Sequence, residues 1–387
     1  MRKNIYLFNI YHLCSGMWLF SPLAVIYFQE ICQSYTLAIF AYSLISLMQS
    51  ITEIPLGVIS DRFGRKTNLI LAATLLFLNM LFWAWAGCGG GVWMLFLGSA
   101  LRGIGVSFLS GTDAAFIYET VSDLRSKRIF DKIYAKTVSY SQLGLLISAI
   151  CATIVTYYLP IIWLAWFSLL PYAITIVVAF MLKEPKSNFD DKLTPWEQMK
   201  KSVRLLTKRK KLRNYTAMQV LSSGLTLSIY RFEILYYAQL IATYLITVVR
   251  IIMHTTGYIS FMLVPMVRKF SFLNVLFLSN LGVALVRTIA IVLNNTLTPF
   301  VSAFTNLAYG VGITAQTALV QKEYNKSLRA TMHSLAEFLR GFAIAIMGYI
   351  FGLIADLGSP RMALSIAIIA QLLVAMAYKR LFKMYKN

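Results

Sequence analysis

The sequence predicts an all-α membrane protein, with twelve transmembrane helices in two pseudo-symmetric six-helix bundles. Three observations lead there. Of 387 residues, 58% are hydrophobic and only 13% are charged, about half the charged share of a soluble globular chain. Apolar runs of roughly 20 residues, enough to cross a bilayer, recur along the whole length. The mean hydropathy is +0.68, and the 36 Lys+Arg and 15 Asp+Glu cannot cover that much apolar side chain with polar surface. Disorder, a disulfide-rich secreted scaffold and an ordinary cytosolic enzyme are excluded.

The expected spans, in order, are 5–28, 36–59, 68–87, 92–118, 137–158, 161–182, 214–237, 240–266, 272–293, 298–320, 330–355 and 361–381. Each is a continuous apolar run rather than an alternation of period two, which favours helices over a transmembrane barrel. Arg2 and Lys3 before an apolar run imitate a signal peptide. The run is long and no small-x-small cleavage site follows, so it is read as the first span. The longest connection, 183–213, separates an N-terminal bundle (1–182) from a C-terminal bundle (214–387). Within it, Thr194-Pro195-Trp196-Glu197 is a helix-start signature, with Thr as N-cap and Pro at the first position. Trp196, Met199, Val203 and Leu206 follow at helical spacing among basic residues, which predicts an amphipathic helix on the membrane surface.

The net charge of +21 raises the question of nucleic-acid binding. With the N-terminus placed in the cytoplasm, 30 of the 36 basic residues fall in cytoplasmic segments, Arg361 lies outside, and five arginines lie within spans. That asymmetry is the positive-inside pattern. The basic residues mark the leaflet next to anionic lipid rather than a nucleic-acid-binding face. Both termini are therefore expected in the cytoplasm, with the protein in the cell (inner) membrane.

Between spans 2 and 3 lies Gly57-Val-Ile-Ser-Asp61-Arg62-Phe-Gly64-Arg65-Lys66. Gly64 permits a tight turn, and Asp61 can accept hydrogen bonds from a neighbouring helix N-terminus. The pattern closely resembles the signature loop of the major facilitator superfamily of secondary transporters, and the six-plus-six topology around a basic linker resembles that family along the whole chain. The resemblance implies that Gly57, Asp61, Arg62, Gly64, Arg65 and Lys66 form a conformational latch joining the halves. Ser110-Gly111-Thr112-Asp113 at the end of span 4 is similar to a bacterial subgroup of largely unassigned transporters. Two features depart from drug/proton antiporters: Ser99 stands where span 4 often carries Arg, and span 5 (Gln142 to Ser148) has no proline.

Charged groups inside spans cost about 2.5–3.5 kcal/mol each on insertion scales, so they are expected to face a partner or a cavity. Asp113, Glu53 and Glu119 are the candidates for proton coupling, Asp113 foremost. Glu337 and Arg340, three apart on span 11, are expected to pair structurally. Arg250 and His254 share a face of span 8, open to anion binding or to pairing of Arg250 with a carbonyl or an acid of another span. Arg231 and Glu233, two apart, do not face each other.

Family architecture places a central cavity among spans 1, 4, 7 and 10. Its candidates are Tyr11, His12, Ser15, Trp18, Arg102, Ser223, Tyr230, Asn306, Tyr309 and Gln316. With 7 Trp, 22 Tyr and 25 Phe in the chain, an aromatic-rich cavity with few polar handles is expected, suited to an amphipathic solute. Gly348 and Gly352 predict close helix packing. Cys32 and Cys88 fall on the outer side, leaving a disulfide between them open.

No metal cluster, cofactor motif or enzyme constellation is read from the sequence, and no ATP site. The expected partners are a small-molecule solute, protons and the lipid bilayer, with no nucleic acid, and the protein is expected to be monomeric. The leading expectation is proton-coupled export of a small, drug-like or antibiotic-like organic molecule. Proton-linked uptake of a metabolite or organic anion is the alternative, and a non-transporting receptor or accessory protein stands as a reading from another class.

Overall fold

A computed structural model describes residues 2–110, 112–123, 130–185, 195–267, 269–323 and 329–385. They are almost wholly helical and divide into two compact units, Met1–Cys32 with Leu44–Leu193 and Gln33–Ser43 with Thr194–Asn387.

The first unit holds α1 (Arg2–Gly16), α2 (Ala24–Cys32), most of α3 (Tyr35–Phe63), α4 (Arg65–Trp85), α5 (Val92–Leu109), α6 (Thr112–Asp123), α7 (Phe130–Tyr158) and α8 (Ile162–Met181). α4 packs between α5 and α8, and α1 between α7 and α8. One apolar cluster, including Phe8, Tyr11, Phe116 and Val121, welds α1, α4, α6 and α8 at one end of the unit.

The second unit holds the first residues of α3, then α9 (Pro195–Lys208), α10 (Lys210–Tyr237), α11 (Thr243–Met262), α12 (Val264–Val267), α13 (Phe272–Leu293), α14 (Thr298–Ala303), α15 (Tyr309–Glu323), α16 (Arg329–Leu357) and α17 (Pro360–Met384). α10 packs on α16 and α17, and α13 on α17 and α15. Ser271 and Ser359 cap α13 and α17, each accepting a hydrogen bond from the backbone N–H three residues on.

The start of α3 joins the second unit for a definite reason. The Asp356 carboxylate accepts from the Tyr35 N–H at 2.7 Å, the Thr36 N–H at 3.0 Å and the Ser34 hydroxyl at 2.7 Å. A carboxylate there satisfies orphan donors and complements the helix dipole. Gly352 sits one turn before Asp356, and a Cβ on it would lie 2.5 Å from the Thr36 Cα. The expected close packing by Gly348 and Gly352 is thus made against the first turns of α3.

Among the described residues, nine helices are long and apolar enough to cross a membrane. Expected spans 1, 7 and 10 are not among them. The first is split into α1 and α2, and the tenth into α14, a 3-10 turn (Phe304–Ala308) and α15. The seventh is unbroken as α10, but carries Ser222, Ser228 and Glu233 buried within the unit. Asn4, Asn9 and His12 on α1 are likewise buried. These helices fall short of apolarity because their polar side chains point inward, where other helices supply partners.

The basic linker contains α9 as expected, although the Trp196 and Met199 side chains lie outside the described residues. Leu205 and Leu206 pack against the apolar cluster of the second unit that includes Leu212 and Tyr215. Of the expected amphipathic face, Leu206 is thus partly covered by protein, while Val203 is exposed. All four cysteines are free, so Cys32 and Cys88 form no disulfide.

Candidate functional site

Three polar constellations stand out, two in the first unit and one in the second.

The signature loop comes first. Gly64 occupies φ +84°, ψ 161°, a conformation that L side chains rarely adopt, and breaks α3 from α4. The Glu184 carboxylate closes over the break. It accepts from the Arg65 N–H at 2.6 Å and the Lys66 N–H at 2.7 Å, capping α4 where Gly64 has no side chain to do so. The Arg65 guanidinium bonds Glu119 on α6 at 3.1 Å. Glu119, expected as a proton-coupling group, is therefore a partner of the loop arginine, because Arg65 reaches it across the end of α4. Asp61 and Arg62, and the Gly57 position, lie outside the described side chains. Sequence reasoning missed Glu184. The available signal was an acid followed by proline directly after span 6, in a segment whose net charge is positive.

Gly64→Ala is expected to cost about 1–3 kcal/mol in backbone strain alone. The new methyl would also meet Glu184 Oε1 at 2.9 Å. Thermal unfolding of detergent-purified protein should show a lower midpoint, and an unchanged midpoint would refute this account of the turn.

The second constellation faces inward from α1 and α6. His12 Nε2 and Asp113 Oδ1 stand 3.7 Å apart, beyond hydrogen-bond reach, and among the described residues neither atom has a hydrogen-bond partner. Phe8 packs edge-on to the His12 ring at 4.6 Å and also contacts Phe116. Such a pair can take up one proton between two groups of opposite protonation habit. Glu53, the third coupling candidate, accepts from the Ser110 hydroxyl at 3.4 Å. Nearby, the Arg102 guanidinium lies 3.5 Å over the Trp18 ring and donates to Tyr172 Oη at 3.2 Å and Asn79 Oδ1 at 3.4 Å. A ring and two neutral acceptors thus hold the buried cation, where solute contact was expected. Tyr11 is fully buried and donates to the Leu69 carbonyl at 3.1 Å. It packs the unit's core and is removed from the expected cavity lining. Ser15 bonds the His12 carbonyl at 3.4 Å.

The third constellation is a cavity of about 140 Å³ within the second unit. Four expected residues line it: Ser223, Asn306, Tyr309 and Gln316. Tyr230 does not; it offers its carbonyl to Arg250 Nη2 at 2.7 Å and its ring to the same guanidinium at 3.8 Å. The lining combines hydroxyl and amide groups, including Ser222, Thr226, Ser279, Asn280 and Gln371, and the cations Arg287 and Arg340, with the apolar Leu227, Leu276, Val283, Ala308 and Ile313. Tyr309 is the one aromatic among the described lining residues. This cavity, formed by second-unit helices alone, differs in composition from the aromatic-rich one expected among spans 1, 4, 7 and 10. Arg287 on α13 and Arg340 on α16 were expected as in-span charges facing a partner or a cavity, whereas Ser279, Asn280 and Gln371 went unforeseen because only spans 1, 4, 7 and 10 were considered for the cavity. Isolated polar residues in otherwise apolar runs, Asn280, Arg287 and Gln371, were the signal available.

The cavity's polar groups are positioned by one another. Arg287 Nη1 donates to Gln371 Oε1 at 2.7 Å, Gln371 Nε2 to Asn280 Oδ1 at 2.9 Å, and Asn280 Nδ2 to the Leu276 carbonyl at 2.7 Å. Gln316 Nε2 donates to Tyr378 Oη at 3.0 Å, and Asn306 Nδ2 to the Met253 carbonyl at 2.9 Å. Behind Arg287, the Glu233 carboxylate, 2% exposed, lies 3.8 Å from Arg287 and 3.6 Å from Arg250. Of the two alternatives for Arg250, the acid and carbonyl partners are the ones made. Arg340 is paired with Glu337 on its own helix.

A family model described as Major Facilitator Superfamily matches residues 12–348. An "uncharacterized transporter" of Buchnera aphidicola subsp. Acyrthosiphon pisum is 27% identical over 143 residues, 37% of this chain and 34% of that protein. The chain's match thus spans about a third of that relative's length. A crystal structure of a mutant of the nucleoside transporter NupG superposes with TM-score 0.82 at 13% identity, covering 98% of this chain and 99% of that one. A D-xylose-proton symporter does so with TM-score 0.71 at 16% identity, covering 97% and 96%. At those identities the likeness establishes the fold.

Proposed function

Since the chain belongs to the Major Facilitator Superfamily and is a multi-pass, non-enzymatic membrane transporter, we propose that it imports a small hydroxylated organic solute together with a proton. The second unit's cavity, where hydroxyls, amides and two guanidinium groups stand among aliphatic side chains with one ring, carries this reading. A polar solute cannot cross the hydrocarbon core unaided, so a cell that uses it needs a carrier. Amphipathic compounds leak inward by themselves and call for export instead. The hydrogen-bonding groups and arginines of the lining thus favour uptake over the export of a drug-like molecule. The similarity in fold to a nucleoside transporter and a sugar-proton symporter is consistent with a solute of this kind.

Asp113, opposed by His12, is the proposed proton carrier. The loop from Gly57 to Lys66 is the proposed latch, its described contacts with Glu119 and Glu184 holding α4 against the ends of α6 and α8. The proposed setting is the inner membrane with both termini cytoplasmic, on the strength of the basic-residue asymmetry. Transport proceeds by alternating access, as is usual for bundles built from repeats.

The test is uptake by energised membrane vesicles of sugars, polyols, sugar acids and nucleosides, in wild type and in Asn306→Ala and Gln316→Ala. Losing one hydrogen bond to solute is worth about 0.5–1.5 kcal/mol, so each variant should need roughly 3- to 10-fold more solute for half-maximal rate. Uptake with unaltered half-saturation in both variants would remove the cavity from the mechanism.

A further inference from the structure

We infer that this cavity binds a hydroxylated monocarboxylate, its carboxylate held in a two-pronged contact by Arg287. The inference rests on the reading that the cavity holds the transported solute, and adds the solute's charge.

Arg287 is 7% exposed and lines the cavity. One of its terminal nitrogens is committed to Gln371, at 2.7 Å. The other stands 3.8 Å from Glu233, outside hydrogen-bond distance. Among the described residues the buried Nε has no hydrogen-bond partner. An arginine cannot shed its proton, so these two donors remain charged and under-used inside a membrane protein, where each unmet donor is costly. Together Nε and the second terminal nitrogen form the edge of the guanidinium that matches the two oxygens of a carboxylate.

The charge inventory agrees. No carboxylate lines the cavity among the described residues, whereas two guanidinium groups do. Arg340 is neutralised by Glu337. Glu233 serves two arginines, Arg250 and Arg287, so this buried group of three carries one positive charge in excess. One surplus charge, presented by one guanidinium edge, fits a monoanion better than a phosphate dianion. Arg287 also borders a second, water-sized pocket of about 10 Å³ shared with Glu233, Tyr237 and Ser302. It therefore stands as the wall between the cavity and its own counter-ion. The hydroxyls and amides of Ser222, Ser279, Asn280, Thr305 and Asn306 around the remaining space suit a hydroxylated carbon skeleton.

The experiment measures binding to the purified full-length protein, by thermal shift and calorimetry, with acid and neutral partners of the same skeleton. The pairs are D-glucuronate with D-glucose, D-gluconate with D-glucitol, and D-glycerate with glycerol. At least one acid is expected to bind about tenfold or more tightly than its neutral partner, the worth of a charge-assisted pair. Arg287→Gln is expected to erase that preference. Arg287→Lys, which keeps the charge that balances Glu233 and so protects folding, should reduce it by losing the two-pronged geometry. Equal or tighter binding of the neutral partners overturns the inference, as does an undiminished preference in Arg287→Lys or no binding by any acid of the panel. The cavity reading fails separately: in that case Gln316→Ala leaves every observed affinity unaltered. If a neutral compound binds and Gln316→Ala weakens it, the cavity stands and only the anion falls.

Discussion

Glu233→Ala is expected to be among the most damaging single substitutions in this protein, costing about 3–5 kcal/mol of folding stability. The residue is 2% exposed, and its carboxylate is shared by Arg250 and Arg287, themselves 3% and 7% exposed. Removing it leaves two buried guanidinium groups without this counter-charge. Arg250 keeps the Tyr230 carbonyl and ring, and Arg287 keeps Gln371, which limits the loss but does not neutralise either charge. Thermal unfolding in detergent is the measurement. Glu233→Ala combined with Arg287→Gln should recover part of the lost stability, since it removes the charge left unmatched. A midpoint for Glu233→Ala within a degree or two of wild type would show that the three groups are not energetically coupled.

Asp113→Asn is expected to abolish accumulation against a gradient while leaving exchange of solute across the membrane intact. The amide fills the same space beside His12 but cannot take the proton that the carboxylate takes. One pH unit across the membrane is worth about 1.4 kcal/mol per coupled proton, enough to sustain about a tenfold accumulation. In proteoliposomes with that pH difference and no electrical potential, the wild type should approach a tenfold ratio and the variant a ratio near unity. Counterflow of labelled solute should continue in both. Tenfold accumulation by Asp113→Asn would take this carboxylate out of the coupling step. Loss of counterflow as well would make it a structural group.

The reach of the sequence differs from residue to residue along these sites. Gly64 is legible because its job is local: a turn between two helices at the membrane edge needs a backbone that other residues avoid. Glu184, which completes the same turn, is not, because it arrives from the far end of α8 and only a folded bundle brings it to the first N–H groups of α4. Glu337 with Arg340 is readable from spacing on one helix. Glu233 with Arg287 is not, since nothing in the spacing of α10 and α13 reveals that they bury the same space. Asp113 could be singled out as an acid in an apolar run, but its neighbour His12 belongs to another helix and looked like a cavity residue.

What the sequence by itself determined is that this chain lives in a membrane as a bundle of helices and belongs with facilitator-type transporters. Hydropathy and charge act one residue at a time against a layered solvent, so their sum along the chain is enough to establish that. Tertiary structure alone decided that Glu233 on α10 lies against Arg250 on α11 and Arg287 on α13. It also decided that the cavity is lined by hydroxyls, amides and aliphatic groups with one ring, although the chain is rich in rings. Those outcomes depend on which side of each helix faces its neighbours, and many different packings of the same apolar helices satisfy the bilayer equally well.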